Sequence, residues 1–158
     1  MREELDNELV KKYPKIFADR YGDMKTTAMC WGFECGDGWY NILDSLCSNI
    51  QSHIDWQNGQ RAQLLENNAY KVRVPAFVEQ VIAEQVKEKF GGLRFYYQGG
   101  DDRIFGMVRM AESWAARTCE ECGNPGIIRS GGWIKTLCDK HEVERQARYK
   151  ERYNETDL

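Results

Sequence analysis

The most constraining feature of this sequence is a set of four metal-ligand side chains near its C-terminus. Two residues separate Cys119 from Cys122, two separate Cys138 from His141, and fifteen lie between the pairs. Each pair can chelate one metal ion locally, and the intervening chain is long enough to bring the pairs together around a tetrahedral Zn²⁺. The spacing therefore predicts a structural zinc site that fixes the path of the chain from residue 119 onward.

The same residues allow a second interpretation, in which Cys138 is a nucleophile and His141 is its base. Residues three apart on a helix can contact each other, as such a pair requires. The sequence favours zinc because four protein ligands fill every position of a tetrahedral ion, and both residues are needed as ligands.

The residues between and after the ligand pairs predict a β-hairpin followed by a helix. "NPG" at 124–126 is a turn sequence, "IIR" and "WIKTL" are typical of short strands, and "SGG" at 130–132 suits the hairpin loop. The stretch after His141, "EVERQARYKERY", is rich in helix formers, so the second ligand pair should lie in the first turn of a helix. A knuckle, a hairpin and a helix in this order resemble a treble-clef zinc finger. The predicted domains are a core of residues 1–118 and a zinc module of residues 119–158.

Apolar residues at three- and four-residue spacings predict the helices of the core. A short amphipathic helix over 2–13 precedes three main helices over 38–55, 77–90 and 104–118. Asp37 is expected to cap the first main helix, and Gly91 to end the second.

Fewer segments of the sequence have a pattern typical of β-strands than of helices. "AYKVRV" contains alternating apolar residues over 70–74, and "LRFYY" at 93–97 is rich in β-forming residues. "WQNGQ" at 56–60 has Asn-Gly turn chemistry and predicts the start of a polar link. The predicted fold is α+β, with a small sheet packed against three main helices and the C-terminal treble-clef-like zinc module.

Composition and charge limit the location and the partners. The N-terminus is charged, without the apolar segment of a signal peptide, and no apolar run is long enough to span a bilayer. A cytoplasmic protein that binds no membrane is therefore expected, and in a bacterial host the six cysteines would stay reduced. The net charge of −3 argues that any phosphate contact is local.

Most familiar catalytic patterns are missing from the sequence, so an enzyme is the less favoured class. His53 is the one histidine outside the zinc set, and a hydrogen-bonded helix histidine is the preferred interpretation of it over a nuclease base. The His-x-Glu and Pro-Cys-x-x-Cys elements of zinc deaminases are not found. "GGDD" at 99–102 shares three letters with the signature of cyclic-dinucleotide cyclases and is interpreted as a solvated turn.

The other three cysteines, Cys30, Cys35 and Cys47, are interpreted as buried thiols. A second metal site that recruits His53 is the less favoured alternative. "ECGDGWY" at 34–40 offers backbone N–H groups at a helix start to an anion, although capping by Asp37 is favoured and its charge would repel an anion.

The segment 85–100, "QVKEKFGGLRFYYQGG", is the candidate ligand-binding region. Glycines permit close approach of a ligand, aromatic rings stack on bases, and cations pair with phosphate. The alternative is structural, with Gly91 as a helix cap and Phe95 and Tyr97 in the core. The candidate ligand-binding residues are Lys87, Lys89, Gly91, Gly92, Arg94 and Tyr96.

"GDGWYNILDSLC", "QVKEKFGGLRFYY", "CEECGNPG" and "GWIKTLCDKH" together resemble a widespread set of small proteins encoded by phages and prophages, for which no activity is assigned. The resemblance spans residues 28–142 and implies a viral accessory role. The resulting hypothesis is a non-catalytic, zinc-stabilised phage protein that binds a nucleotide-type ligand or a host protein and counteracts host defence.

Two other functions stay open. A zinc-finger protein could bind nucleic acid through the C-terminal helix, with a steep salt dependence. A metal-dependent hydrolase could assemble carboxylates such as Asp101 and Asp102 with others distant in sequence. A homo-oligomer is a further alternative, because an apolar helix stripe suits a core or an interface.

Overall fold

A computed structural model describes residues 1–67 and 72–155, with side chains through Glu151. The helices are α1 (Glu3–Lys12), α2 (Tyr40–Glu66), α3 (Asp102–Ala115) and α4 (Asp139–Glu155). The strands are β1 (Phe33–Glu34), β2 (Glu79–Lys89), β3 (Gly92–Gly100), β4 (Ile127–Arg129) and β5 (Lys135–Leu137). The α+β fold class is thereby confirmed.

The strands form two separate sheets. β1, β2 and β3 form a three-stranded sheet in that order, with β1 parallel and β3 antiparallel to β2. β4 and β5 form the predicted antiparallel hairpin in the C-terminal module. Among the described residues, no helix is long and apolar enough to span a membrane.

The core lies between the three-stranded sheet and the first three helices. α2 and α3 contact each other and the sheet, and α1 contributes Leu9 to the same buried cluster. All residues of this cluster lie between Leu9 and Ala115, within the predicted core domain. The division between residues 118 and 119 stays a prediction.

The predicted helix over 77–90 is wrong, because this segment forms strand β2. Its buried positions, Val78, Val81, Ala83 and Val86, are three, two and three residues apart. The pairing of β2 with β3 shifts between Glu79 and Ile82 and again between Ala83 and Gln85. Such β-bulges insert residues into one strand, so the buried positions acquire three-residue steps that imitate a helix.

Gly91 is therefore not a helix cap but part of the two-residue turn that joins β2 to β3. Phe90 and Gly91 have φ values of 53° and 78°, and Lys89 pairs with Gly92 across the turn. Two positive φ angles in a two-residue loop are typical of a type I′ turn, which matches the twist of the strands.

Helix α2 is longer than predicted, and the expected turn at 56–60 lies inside it. An added Cβ on Gly59 would contact nothing within 4 Å, so this exposed glycine is tolerated within the helix. The predicted strand over 70–74 is not formed at Val72–Val74, and Tyr70 lies outside the described residues.

The sequence predicts a helix cap at Asp37 and a solvated turn at Asp101, and the structure shows a different role for each residue. Asp37 does not cap α2, since its carboxylate accepts hydrogen bonds from the backbone N–H of Arg2 and pairs with the Arg2 side chain. Asp101, in the "GGDD" segment, caps α3 by accepting the backbone N–H of Ile104 at 3.0 Å.

Candidate metal centre and ligand-binding surface

The structure brings the four predicted metal ligands together. The ligand atoms of Cys119, Cys122, Cys138 and His141 all lie within 4.8 Å of one another. The Cys122 and Cys138 sulfurs are 3.9 Å apart, and His141 Nδ1 lies 3.2 Å from the Cys138 sulfur and 3.5 Å from the Cys119 sulfur. The four residues can therefore bind one ion.

These separations fit a tetrahedral ion of the size of zinc. Bonds of about 2.3 Å to sulfur and 2.0 Å to nitrogen place two sulfurs about 3.8 Å apart and a sulfur and a nitrogen about 3.5 Å apart. Three cysteines and one histidine are also a donor set that soft or borderline metals such as zinc prefer to oxygen-binding ions.

Local structure positions each ligand pair. At the first pair, the Gly123 N–H donates to the Cys119 carbonyl at 2.9 Å, and the Cys119 N–H donates to the Asn124 carbonyl at 2.7 Å, which closes a tight knuckle. At the second pair, Cys138 immediately precedes α4 and His141 lies in its first turn, as predicted. The hairpin β4–β5 connects the two pairs.

The start of α4 also favours the thiolate form of Cys138. The backbone N–H of His141 lowers the pKa of the Cys138 thiol to about 7, although partial desolvation opposes this effect. Burial raises the pKa of Cys119. Because metals bind thiolates, this lowered pKa favours binding of an ion by Cys138 at neutral pH.

Sequence reasoning missed Glu120, which joins the metal module to the core. Its side chain is 2% exposed, and one carboxylate oxygen accepts the Gly36 N–H at 3.0 Å while the other pairs with Lys135 at 2.8 Å. The Glu120 carbonyl accepts the Gly38 N–H at 2.7 Å. The N–H groups of Gly36 and Gly38 are thus already bonded and are not free to bind an anion.

The other cysteines considered as metal ligands do not join a metal site among the described residues. Within the described ranges, one group of three or more potential ligands lies close enough to hold an ion, and it excludes Cys30, Cys35 and Cys47. Cys35 and Cys47 are buried, and burial raises both thiol pKa values, that of Cys35 to about 12. His53 Nε2 lies 2.8 Å from the Asp101 carboxylate, as expected for a hydrogen-bonded helix histidine.

Four of the six candidate ligand-binding residues share one face of the β2–β3 hairpin. Lys87 pairs with Arg94 in the sheet, so their side chains are on the same side, and Lys89 and Tyr96 follow at alternate positions. The opposite face carries Val86, Leu93 and Phe95 into the core. The aromatic and basic side chains thus point away from the core.

The two candidate glycines have structural roles at the same end of the hairpin. An added Cβ on Gly91 would lie 3.1 Å from Ile134, because the hairpin loop of the metal module packs there. An added Cβ on Gly92 would lie 3.0 Å from the Arg94 guanidinium. Gly91 therefore permits docking of the module, and Gly92 leaves room for Arg94.

Fold and site together define an α+β protein whose C-terminal hairpin and helix carry a Cys₃His cluster able to hold a metal ion. No family model, curated protein or solved structure matches the chain.

Proposed function

We propose that the protein is a zinc-stabilised binding protein whose ligand is a nucleotide-type anion. The observation that carries this proposal is the cation cluster of Lys87, Lys89 and Arg94 on the outward face of the β2–β3 hairpin. Within the described part of the chain, none of the three forms an ion pair. These three cations, together with Tyr96, which is 41% exposed, suit phosphate and base chemistry.

Zinc has a structural role in this proposal. Cys119, Cys122, Cys138 and His141 supply four protein ligands, which leaves no coordination position for a reacting water. The metal would hold the hairpin β4–β5 against the core, where Thr136 donates its hydroxyl to the Gly91 carbonyl at 2.6 Å. The metal module thereby supports the turn of the β2–β3 hairpin, whose strands carry the cation cluster.

A viral accessory role, in which the protein counteracts a host defence, is part of the same proposal. It follows from the motif resemblance, and a small nucleotide is one ligand that such a role can involve. A host protein with an acidic surface would meet the same cations and is the alternative partner.

Nucleic-acid binding by α4 receives less support, because two of its cations, Lys140 and Arg145, are engaged. Arg145 is buried and forms two hydrogen bonds to the Glu142 carboxylate, and Lys140 lies 3.8 Å from Glu144. Acidic partners on the same helix reduce its attraction for phosphates.

Native mass spectrometry of protein purified from bacterial cells tests both parts of the proposal. We expect one zinc per chain, and an added mass of nucleotide size or binding of added ATP. Arg94→Glu should weaken ATP binding at least about tenfold, since it reverses one charge of the cluster.

Arg103→Glu is the matched control, because it makes the same charge change at an exposed position of α3. It should leave ATP affinity within about twofold of the native value, which corresponds to less than 0.5 kcal/mol. Zinc-free native protein, or equal affinities for the two variants, would contradict the proposal.

A further inference from the structure

A groove separates the β2–β3 turn from the loop of the β4–β5 hairpin. Its volume is about 390 Å³. The end of β2 and the turn contribute Lys87, Glu88, Lys89 and Phe90 to its lining, and the hairpin loop contributes Gly132, Trp133 and Ile134. The groove therefore joins the proposed cation cluster to the metal module, with two large aromatic rings among its walls.

Phe90 occupies a position that its side chain does not favour. Its φ of 53° lies in the left-handed region, where Asn and Gly are preferred in type I′ turns. The residue is 72% exposed, so core packing does not compensate for this conformation. A bulky residue in a strained, exposed turn indicates a function for the ring itself.

Trp133 is also exposed, at 67%, yet hydrogen bonds hold it from two sides. Its indole N–H donates to the Glu88 carboxylate at 3.1 Å, and its carbonyl accepts from the Arg145 guanidinium at 2.7 Å. The other Glu88 oxygen accepts the Gly91 N–H at 2.7 Å. One carboxylate thus fixes the indole and the β2–β3 turn relative to each other.

We infer that this groove binds the base of a nucleoside phosphate. The base contacts the rings of Phe90 and Trp133, and Lys87 and Lys89 pair with the phosphate, which continues toward Arg94 on the sheet face. Pre-oriented aromatic rings beside cations are the combination that proteins use to stack bases and neutralise the backbone. This inference rests on the proposed function and specifies its ligand chemistry. The nucleoside phosphate is either a free nucleotide or a unit of a single strand.

Calorimetric titrations of the zinc-loaded protein test the inference with three probes: ATP, a short single-stranded oligothymidylate and inorganic tripolyphosphate. Trp133→Ala should weaken binding of the tighter base-containing probe roughly 5- to 150-fold, the range for loss of a base-stacking aromatic. Binding of tripolyphosphate, which has no base, should change less than about twofold. Trp114→Ala, at a tryptophan of α3 that is 59% exposed, is the matched control and should bind as the native protein does.

Phe90→Asn separates loss of binding from loss of folding. Asparagine suits a left-handed turn position, so this variant should be at least as stable as the native protein and still bind the base-containing probe less tightly. A preference for ATP identifies a free nucleotide as the ligand, and a preference for the oligonucleotide identifies a single strand; either supports the inference.

Native affinity for the base-containing probes in both Trp133→Ala and Phe90→Asn would overturn the inference. Tripolyphosphate binding as tight as that of the tighter base-containing probe would do the same. If Arg94→Glu still weakened ATP binding in those cases, the proposed anion-binding function would survive. If the native protein bound no probe, the inference and the proposed function would both be wrong.

Discussion

At the scale of single residues, the tightest contact between the core and the metal module forms at two glycines. A Cβ on Gly38 would lie 2.2 Å from the Cys119 carbonyl oxygen, and a Cβ on Gly36 would lie 2.3 Å from that of Glu120. Both distances are far below van der Waals contact. The "GDG" sequence is thus explained by close approach of the metal knuckle, and not by an anion or a helix cap.

Gly38→Ala should destabilise the zinc-loaded protein by roughly 1–3 kcal/mol, because an added methyl group must displace the backbone of the knuckle. Gly59→Ala makes the same chemical change at an open helical site and should stabilise the protein by about 0.5–1 kcal/mol. Urea unfolding curves measure both effects. If both substitutions changed the free energy of unfolding in the same direction, this account of Gly38 would be contradicted.

The sequence predicts the role of a single residue only where a recognisable pattern contains that residue. The two ligand pairs are recognisable because each has two intervening residues, a spacing that lets both side chains bind the same metal ion. Glu120 has no such pattern, since a glutamate between two cysteines looks like any solvated residue. Its role depends on Gly36, which is 84 positions away in sequence.

At the scale of secondary structure, the β4–β5 hairpin depends on contacts outside itself. Its strands have three residues each, and an isolated hairpin of this size is not stable in water. The two ligand pairs flank the hairpin, so a bound metal would close it into one loop. The core has its own buried cluster, so we expect it to stay folded without this closure.

Chelation of the metal should therefore unfold the module while the core stays folded. Hydrogen exchange followed by mass spectrometry should show lost protection for peptides covering 119–138 and retained protection for β2 and α3. Cys122→Ser should give the same pattern without a chelator. Unchanged protection of 119–138, or loss of protection throughout the chain, would contradict the proposed role of the metal.

At the scale of the whole molecule, buried or half-buried carboxylates connect the helices of the core. Burial raises the pKa of Asp101, but the hydrogen bonds from His53 and from the Ile104 N–H outweigh it and hold this pKa below its usual value. Asp44 of α2 shows the same balance, since hydrogen bonds from Tyr13, which follows α1, and from Lys12, its last residue, outweigh the effect of burial on the Asp44 pKa. Both carboxylates are more acidic in the folded protein than in an unfolded chain.

Stability should therefore fall in acid. A carboxylate with a lowered folded-state pKa contributes stability above its unfolded pKa, near 4, and loses it as the pH falls through the folded value. Asp101→Asn should reduce this dependence between about pH 5 and pH 2, as thermal unfolding across that range would show. Asp55→Asn is the control, because Asp55 forms an exposed pair with Lys15, and such pairs contribute little. If the stability of native protein and of Asp101→Asn depended on pH in the same way, the lowered pKa assigned to Asp101 would be contradicted.

The sequence by itself determined the features that depend on local spacing. These are the four metal ligands, the hairpin between them, the helix that follows, and the helical periodicity at the start of α2 and along α3. The tertiary structure decided that 79–89 is a strand, because bulges set by its pairing with β3 change the spacing of its buried residues. It also decided which side chains meet at the groove, since Glu88 and Trp133 are 45 positions apart and only packing of the module onto the β2–β3 turn brings them together.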